Sequence, residues 1–189
     1  LKLTISMARI RTIDSDALLD AAERVAIRDG AVGLSIDAVA REAGISKSRV
    51  VYDYKSKSGL LQALVERRLR KEDDRVFAAV GAQGDTPNPE LNGRIAAAGN
   101  MPDEDDRAIA LTLCAAMSSE EPLQGMIRDM VKRDLEAVTG RARHASLAVV
   151  AYLALHGMMS LEYLDIRRWT ETERTDLLAD GLGALLSRP

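Results

Sequence analysis

Apolar residues recur at helical spacing along most of this chain. Between Asp16 and Arg28, the positions Leu18, Ala21, Ala22, Val25 and Ala26 fall on one face, which predicts a first helix. Asp29–Gly30 should stop it, because glycine readily takes the left-handed residue beyond a C-terminus. Ser35 is suited to cap a short second helix over 36–43, with Ile36, Val39, Ala40 and Ala43 inward. Gly44 comes next, and Ser46 offers a fresh cap for a third helix running to about Tyr52. A fourth helix is expected from near Ser58 to Val80, carrying Leu61, Leu64, Val65 and Leu69 before a charged run from Arg70 to Arg75. The stretch GAQGDTPNP, residues 81–89, is the one clear breaker. Beyond it, Pro102 opens a helix to about Met117, and Pro122 opens another to about Thr139. The latter holds Leu123, Met126, Ile127, Met130, Val131 and Val138 in amphipathic order. Residues 143–164 are apolar almost all round and should be buried on most faces. A final helix, about 171–187, presents Leu178, Leu182 and Leu185. The pattern predicts an all-α chain: an N-terminal three-helix unit, a long connector and a helical-bundle body.

Composition agrees and narrows the classes. The chain has 189 residues, 47% of them hydrophobic and 29% charged, as a globular protein does. Aromatic residues make up only 3%, which argues against a strand-rich fold. No run of 18 uninterrupted apolar residues occurs, so no membrane span is expected. The opening LKLTIS is too short for a signal sequence, and Met7 is the more natural start, so residues 1–6 read as upstream or non-native. A single cysteine, Cys114, excludes an internal disulfide and fits a reducing cytoplasm. Within LTLCAAM it reads as a buried small apolar residue, with a redox sensor as the sharper alternative. One cysteine and two histidines exclude a conventional structural zinc site, and no cofactor is indicated. The net charge of −3 hides an asymmetry: residues 1–71 hold 14 Lys/Arg against 9 Asp/Glu, and the remainder is acidic.

The segment SIDAVAREAGISKSRVVYDYKSK, residues 35–57, carries the chemistry. Two short helices meet at a turn where Ala40 permits close crossing and Gly44 supplies the bend. Ile36, Val39, Ile45 and Val50 would pin the pair against the first helix. That is the construction of a helix-turn-helix, although spacing alone fits an ordinary αα-hairpin equally well. The residues beyond Gly44 favour the first. Ser46, Lys47, Ser48 and Arg49 fall at the start of the third helix, where free amides and the positive dipole end favour phosphate. Lys55 and Lys57 add cations beside the fourth helix, and Tyr52 and Tyr54 suit phosphate or base-edge contacts. Between residues 41 and 57 there are five basic side chains and two acidic ones.

These residues resemble the TetR/AcrR family of bacterial transcriptional regulators. The resemblance runs over residues 17–65, in ALLDAAERVAIRDG, SIDAVAREAGISKS and YDYKSKSGLLQALV, in the family's order and spacing. It implies an N-terminal arm at 1–13, a DNA-binding domain at 14–58 and a ligand-sensing, dimerising domain at 59–189. It also implies that Ser35 contacts backbone phosphate and that Ser46, Lys47, Ser48 and Arg49 form the groove-entering face. Tyr52 falls in the family's aromatic cluster, Tyr54 at a position usually packed in the core, and Lys57 matches a phosphate-contacting lysine. Arg9 and Arg11 resemble basic arms that reach a minor groove, or a frayed tail. Two positions depart from the family pattern: Val51 stands where a phosphate-contacting Tyr is common, and Asp53 where His is common.

The implied partners are a double-stranded operator, a second copy of the chain and a small-molecule effector, with no membrane. A lone helix-turn-helix reads few base pairs, and residues 143–164 hold more apolar surface than one small body can cover. The dimer is therefore expected through residues 143–164 and 171–187, with Gly157, Gly181 and Gly183 permitting close approach. Met117, Met126, Met130, His156 and Met159 are the candidate lining of an apolar effector pocket. The fourth helix is read as the only connector between that body and the DNA-reading unit. No phosphate loop, metal-spaced cluster or nucleophile elbow supports an enzyme. The expected function is a repressor released from a palindromic operator by a small apolar or aromatic ligand. A helical protein-interaction module without an effector is the alternative.

Overall fold

A computed structural model of the chain describes residues 15–183. The expectations for residues 1–13, including Arg9 and Arg11, and for Leu185 lie outside the described residues. The described chain is all-α, as the pattern requires. In order it forms α1 (Ser15–Gly33), α2 (Ile36–Ala43), α3 (Lys47–Tyr54), α4 (Lys57–Gly81) and α5 (Pro89–Ala97). Then come α6 (Glu104–Met117), α7 (Glu121–Gly140), α8 (Ala145–Tyr163) and α9 (Glu171–Asp176), the last continuing as a π-helical segment, Leu177–Leu182. Gly30 interrupts α1 with φ 64°, so the regular helix stops where Asp29–Gly30 predicted and only a last turn remains beyond it.

α5 is the element that the apolar pattern misses. It sits directly behind the breaker stretch and carries Gly93 in its middle, both of which argue locally against a helix. Tertiary contact decides instead. A Cβ at Gly93 would stand 2.6 Å from the Val80 Cα, so only glycine lets α5 cross the end of α4 this closely.

Two cores form. The first gathers Leu18, Ala22, Val25, Val39, Val50, Leu60, Leu64 and their neighbours from α1 to α4, and Leu123 of α7 joins it. The second gathers Leu91, Val138, Ala151, Tyr152, Leu155, Leu178 and Leu182. α4 is the covalent link between them but not the only bridge, contrary to the expectation from sequence. Buried Thr112 on α6 donates its hydroxyl to the Ala26 carbonyl of α1 at 3.3 Å. Ser58 donates to Glu120 at 2.6 Å. Helix α1 packs along α6 because both present small residues to the contact, including Ala26, Ala108 and Thr112.

Three further expectations are corrected. Cys114 is exposed, because it falls on the outer side of α6, away from Ile109 and Thr112. α8 is not buried on most faces: about a third of its apolar stretch is enclosed within this chain. By length and apolar content α8 would in fact suffice to cross a membrane. Its inner face is folded into the body instead, through Ala148, Ala151, Tyr152, Leu155 and Met158. Leu178 and Leu182 face inward too, into the chain's own second core, so they are not the outward face of the last helix.

Candidate nucleic-acid interface

Local chemistry sets the geometry of α2 and α3. The Ser35 hydroxyl accepts the Ala38 N–H at 3.2 Å and caps α2. Gly44 ends that helix at φ 67°, ψ 33°, a conformation that costs other residues about 1–2 kcal/mol. Its N–H donates to Ala40 and Arg41, and the chain turns at once into α3. Ser46 caps α3 by accepting the Arg49 N–H at 3.3 Å. Arg24 and Arg28 of α1 each meet Glu42 of α2 at 2.8 Å, and these hydrogen bonds hold the Glu42 carboxyl below its ordinary pKa. α2 is thereby clamped on α1, and α3 is positioned by α2.

Within α3, inward and outward residues separate cleanly. Val50 is fully enclosed, and Tyr54 packs on the first core while donating its hydroxyl to the Ser15 carbonyl at 3.3 Å. Tyr54 therefore has the core role expected of it. Lys47, Ser48, Arg49, Val51 and Tyr52 face outward, with Tyr52 70% exposed. Ser46 and Ser48 place their hydroxyl oxygens 3.0 Å apart at the helix start. Lys55 lies beyond the helix end with its ammonium 4.9 Å from the Tyr52 ring centre. Ser35 is half-buried at the start of α2.

The cations of this face already have partners. Lys47 meets Asp37 at 2.9 Å, and Arg49 meets Asp53 at 3.0 Å. Lys57 donates to the Ala31 carbonyl at 3.0 Å, and Lys55 to the Tyr52 carbonyl. Asp53 is therefore neutralised along its own helix, one turn from Arg49, which was readable from the spacing. Asp37 was missed. It stands ten residues from Lys47 on another helix, and only the crossing angle of α2 and α3 brings the two together.

The five residues expected to line one effector pocket are not brought together. Met117 and Met126 pack on the first core, and Met130 is half-buried on α7. His156 and Met159 do share a cavity of about 390 Å³ between α4, α6 and α8, along with Arg68, Lys71, Arg75 and Tyr163. A larger groove of about 630 Å³ lies between α4, α5 and α7. The two are joined through side chains. Arg94 meets Asp134 at 2.7 Å, the Tyr152 hydroxyl donates to Asp134 at 3.1 Å, and the His156 ring stands 4.2 Å from that of Tyr152. Burial, opposed by Asp134, lowers the His156 pKa below its ordinary value and keeps the imidazole neutral.

Known proteins share this arrangement. Residues 18–64 match the family model for bacterial regulatory proteins of the tetR family, and residues 91–185 match the tetracyclin repressor-like C-terminal domain. No curated protein matches by sequence. Among solved structures, the multidrug binding protein EbrR, crystallised with imidazole, is similar with TM-score 0.68 and 21% identity, over 92% of this chain and 90% of EbrR. The TetR-family regulator PfmR from Thermus thermophilus is similar with TM-score 0.66 and 16% identity, over 94% and 98%. A transcriptional regulator from Rhodococcus sp. Rha1 gives 0.66 and 20%, over 90% and 95%. At these identities the likeness is one of fold.

Proposed function

The chain belongs to the TetR family of bacterial regulatory proteins, and from that premise we propose that it is a repressor which binds a palindromic operator as a homodimer. TetR-family regulators bind DNA through the helix-turn-helix, here α2 and α3. The observation that carries the reading is the outer face of α3: Lys47, Ser48, Arg49 and Tyr52 are exposed while Val50 and Tyr54 are spent on the core. Lys47, Lys55 and Lys57 contact phosphate with Ser35, Ser46 and Ser48, and Arg49 and Tyr52 read base edges. The test is a gel shift on the DNA upstream of the gene itself. Wild type should shift it, and Lys47→Ala should weaken all sequences alike, lowering the salt slope by about 1. Arg49→Ala should cost about 1–3 kcal/mol and relax one base position. Binding of random DNA as tightly as upstream DNA would count against the reading.

Dimerisation is assigned to α8 and the last helix. Val150, Leu153 and Leu161 are exposed along one stripe of α8, with Gly157 opening on free space between them, and Leu177 is exposed on the last helix. Two such copies would set recognition helices ~34–36 Å apart on successive major grooves. Leu153→Arg should give monomers in light scattering. A small apolar or aromatic ligand in the body then releases the operator, and the α4, α6 and α8 cavity, with His156 and Met159, is its place.

A further inference from the structure

We propose that the cavity between α4, α6 and α8 takes an anionic effector, a single carboxylate on an aromatic or aliphatic body, and that this carboxylate competes with Glu23 for Arg68. The inference rests on the ligand-responsive reading above and names the chemistry of that site. The wall holds three cations, Arg68, Lys71 and Arg75, against two carboxylates, Glu72 and Asp106. Both carboxylates are engaged, Glu72 by Arg75 and Asp106 by Arg68 at 3.0 Å. A cationic guest would have to displace an arginine from one of them. An anionic guest finds donors unspent. The Arg75 Nε is buried without a hydrogen-bond partner among the described residues. Lys71 is exposed at the mouth and makes no ion pair among the described residues. The neutral His156 ring, which makes no hydrogen bond among them, adds an N–H. Met159 and Tyr163 supply the apolar wall that would hold the body of the guest. A volume of about 390 Å³ is at the small end of ligand sites.

Arg68 ties this cavity to the DNA-reading unit. Its guanidinium reaches Glu23 of α1 at 3.1 Å as well as Asp106 of α6. α1 carries Arg24 and Arg28, which clamp α2 through Glu42. A carboxylate seated between Arg75 and Lys71 draws Arg68 into the cavity and leaves Glu23 with Arg67 alone, at 2.8 Å. The tether between α1 and α4 is then weaker, and α2 and α3 move with α1.

Calorimetric titration of the full chain tests this without any DNA, so it stands or falls apart from the operator reading. The probes are phenylbutyrate, phenylbutyramide and phenylbutylamine, matched in body and different in charge. The carboxylate should bind at least about tenfold tighter than the amide or the amine, as a charge-assisted contact does. Lys71→Ala, an exposed change, and Arg75→Lys, which keeps the charge and loses the Nε donor, should each weaken the carboxylate and leave the amide unchanged. Glu23→Gln removes the competitor and should tighten the carboxylate, an outcome that a merely structural role for Glu23 would not produce. Hydrogen exchange of the α1 amides should quicken when phenylbutyrate binds. Equal binding of the three probes, or of none, overturns the anionic assignment; an unchanged affinity in Glu23→Gln overturns the competition.

Discussion

On α1, α2, α3 and the first turns of α4, every enclosed side chain is aliphatic. Where α5, α7, α8 and the last helix meet, the chain encloses Asp134, Glu162 and Arg174 beside its leucines. The first region keeps its charges on the rim, where Arg24, Arg28 and Glu42 stitch α1 to α2. The second puts them inside: Glu162 and Arg174 pair at 2.8 Å, only 3% and 4% exposed, and Arg174 also donates to the Gly99 carbonyl. Aliphatic packing rewards many arrangements almost equally, so the first region depends on its caps and on Gly44 for uniqueness. A buried ion pair penalises any arrangement that separates its partners. In the second region, such a pair ties α8 to α9.

The sharpest way to break this contrast is to strand one charge. Glu162→Gln should cost about 3–5 kcal/mol in urea unfolding, because it leaves the Arg174 guanidinium buried without its counter-charge. The double change Glu162→Leu with Arg174→Met should recover most of the loss. If it recovers nothing, the loss in Glu162→Gln does not come from a stranded Arg174 charge. Gly93→Ala comes next, at about 1–3 kcal/mol, since a methyl there must push α5 off the Val80 backbone. In the first region Ser46→Ala removes only a cap and should cost about 1 kcal/mol.

Acid gives the smallest and most discriminating comparison. His156 has its pKa lowered in the folded chain, chiefly by burial, so the unfolded chain takes up a proton first. Stability is therefore intact above the ordinary value of 6.5 and falls as pH drops from there through the lowered folded pKa. His156→Gln should flatten that window in thermal melts. Glu42 in the first region, held low by Arg24 and Arg28, loses its contribution only below its ordinary 4.5, as pH falls through its own lowered pKa. The second region should thus soften first as acid is added.

The same division decides how much was legible in the sequence. Helical periodicity, the serine caps Ser35 and Ser46 and Gly44 are local signals, and α1 to α4 lie close to where they were expected. The outward set on α3 was readable because its spacing, together with Val50, decides which side faces the core. α5 was hidden because Gly93 looks like a helix-breaking residue until Val80 is placed against it. The methionines of α6 and α7 suggested a pocket because their adaptable side chains suit varied apolar ligands, but the sequence does not say which neighbour each one meets. Arg94 and Asp134 lie 40 residues apart and Arg68 and Glu23 lie 45 apart, so no window of sequence contains either pair.

The pairing of Lys47 with Asp37 and of Arg49 with Asp53 carries a consequence for how this protein would search a chromosome. In the absence of DNA, the two aspartates stand in for the phosphates that those cations would meet. Lys55 and Lys57, which donate only to backbone carbonyls, keep their charge, and the field they project is screened beyond a Debye length, about 8 Å in physiological salt. On the proposed reading, a phosphate must displace a carboxylate before Lys47 or Arg49 can grip it. Long residence, on that reading, requires a sequence on which Arg49 gains more from a base edge than it gives up at Asp53.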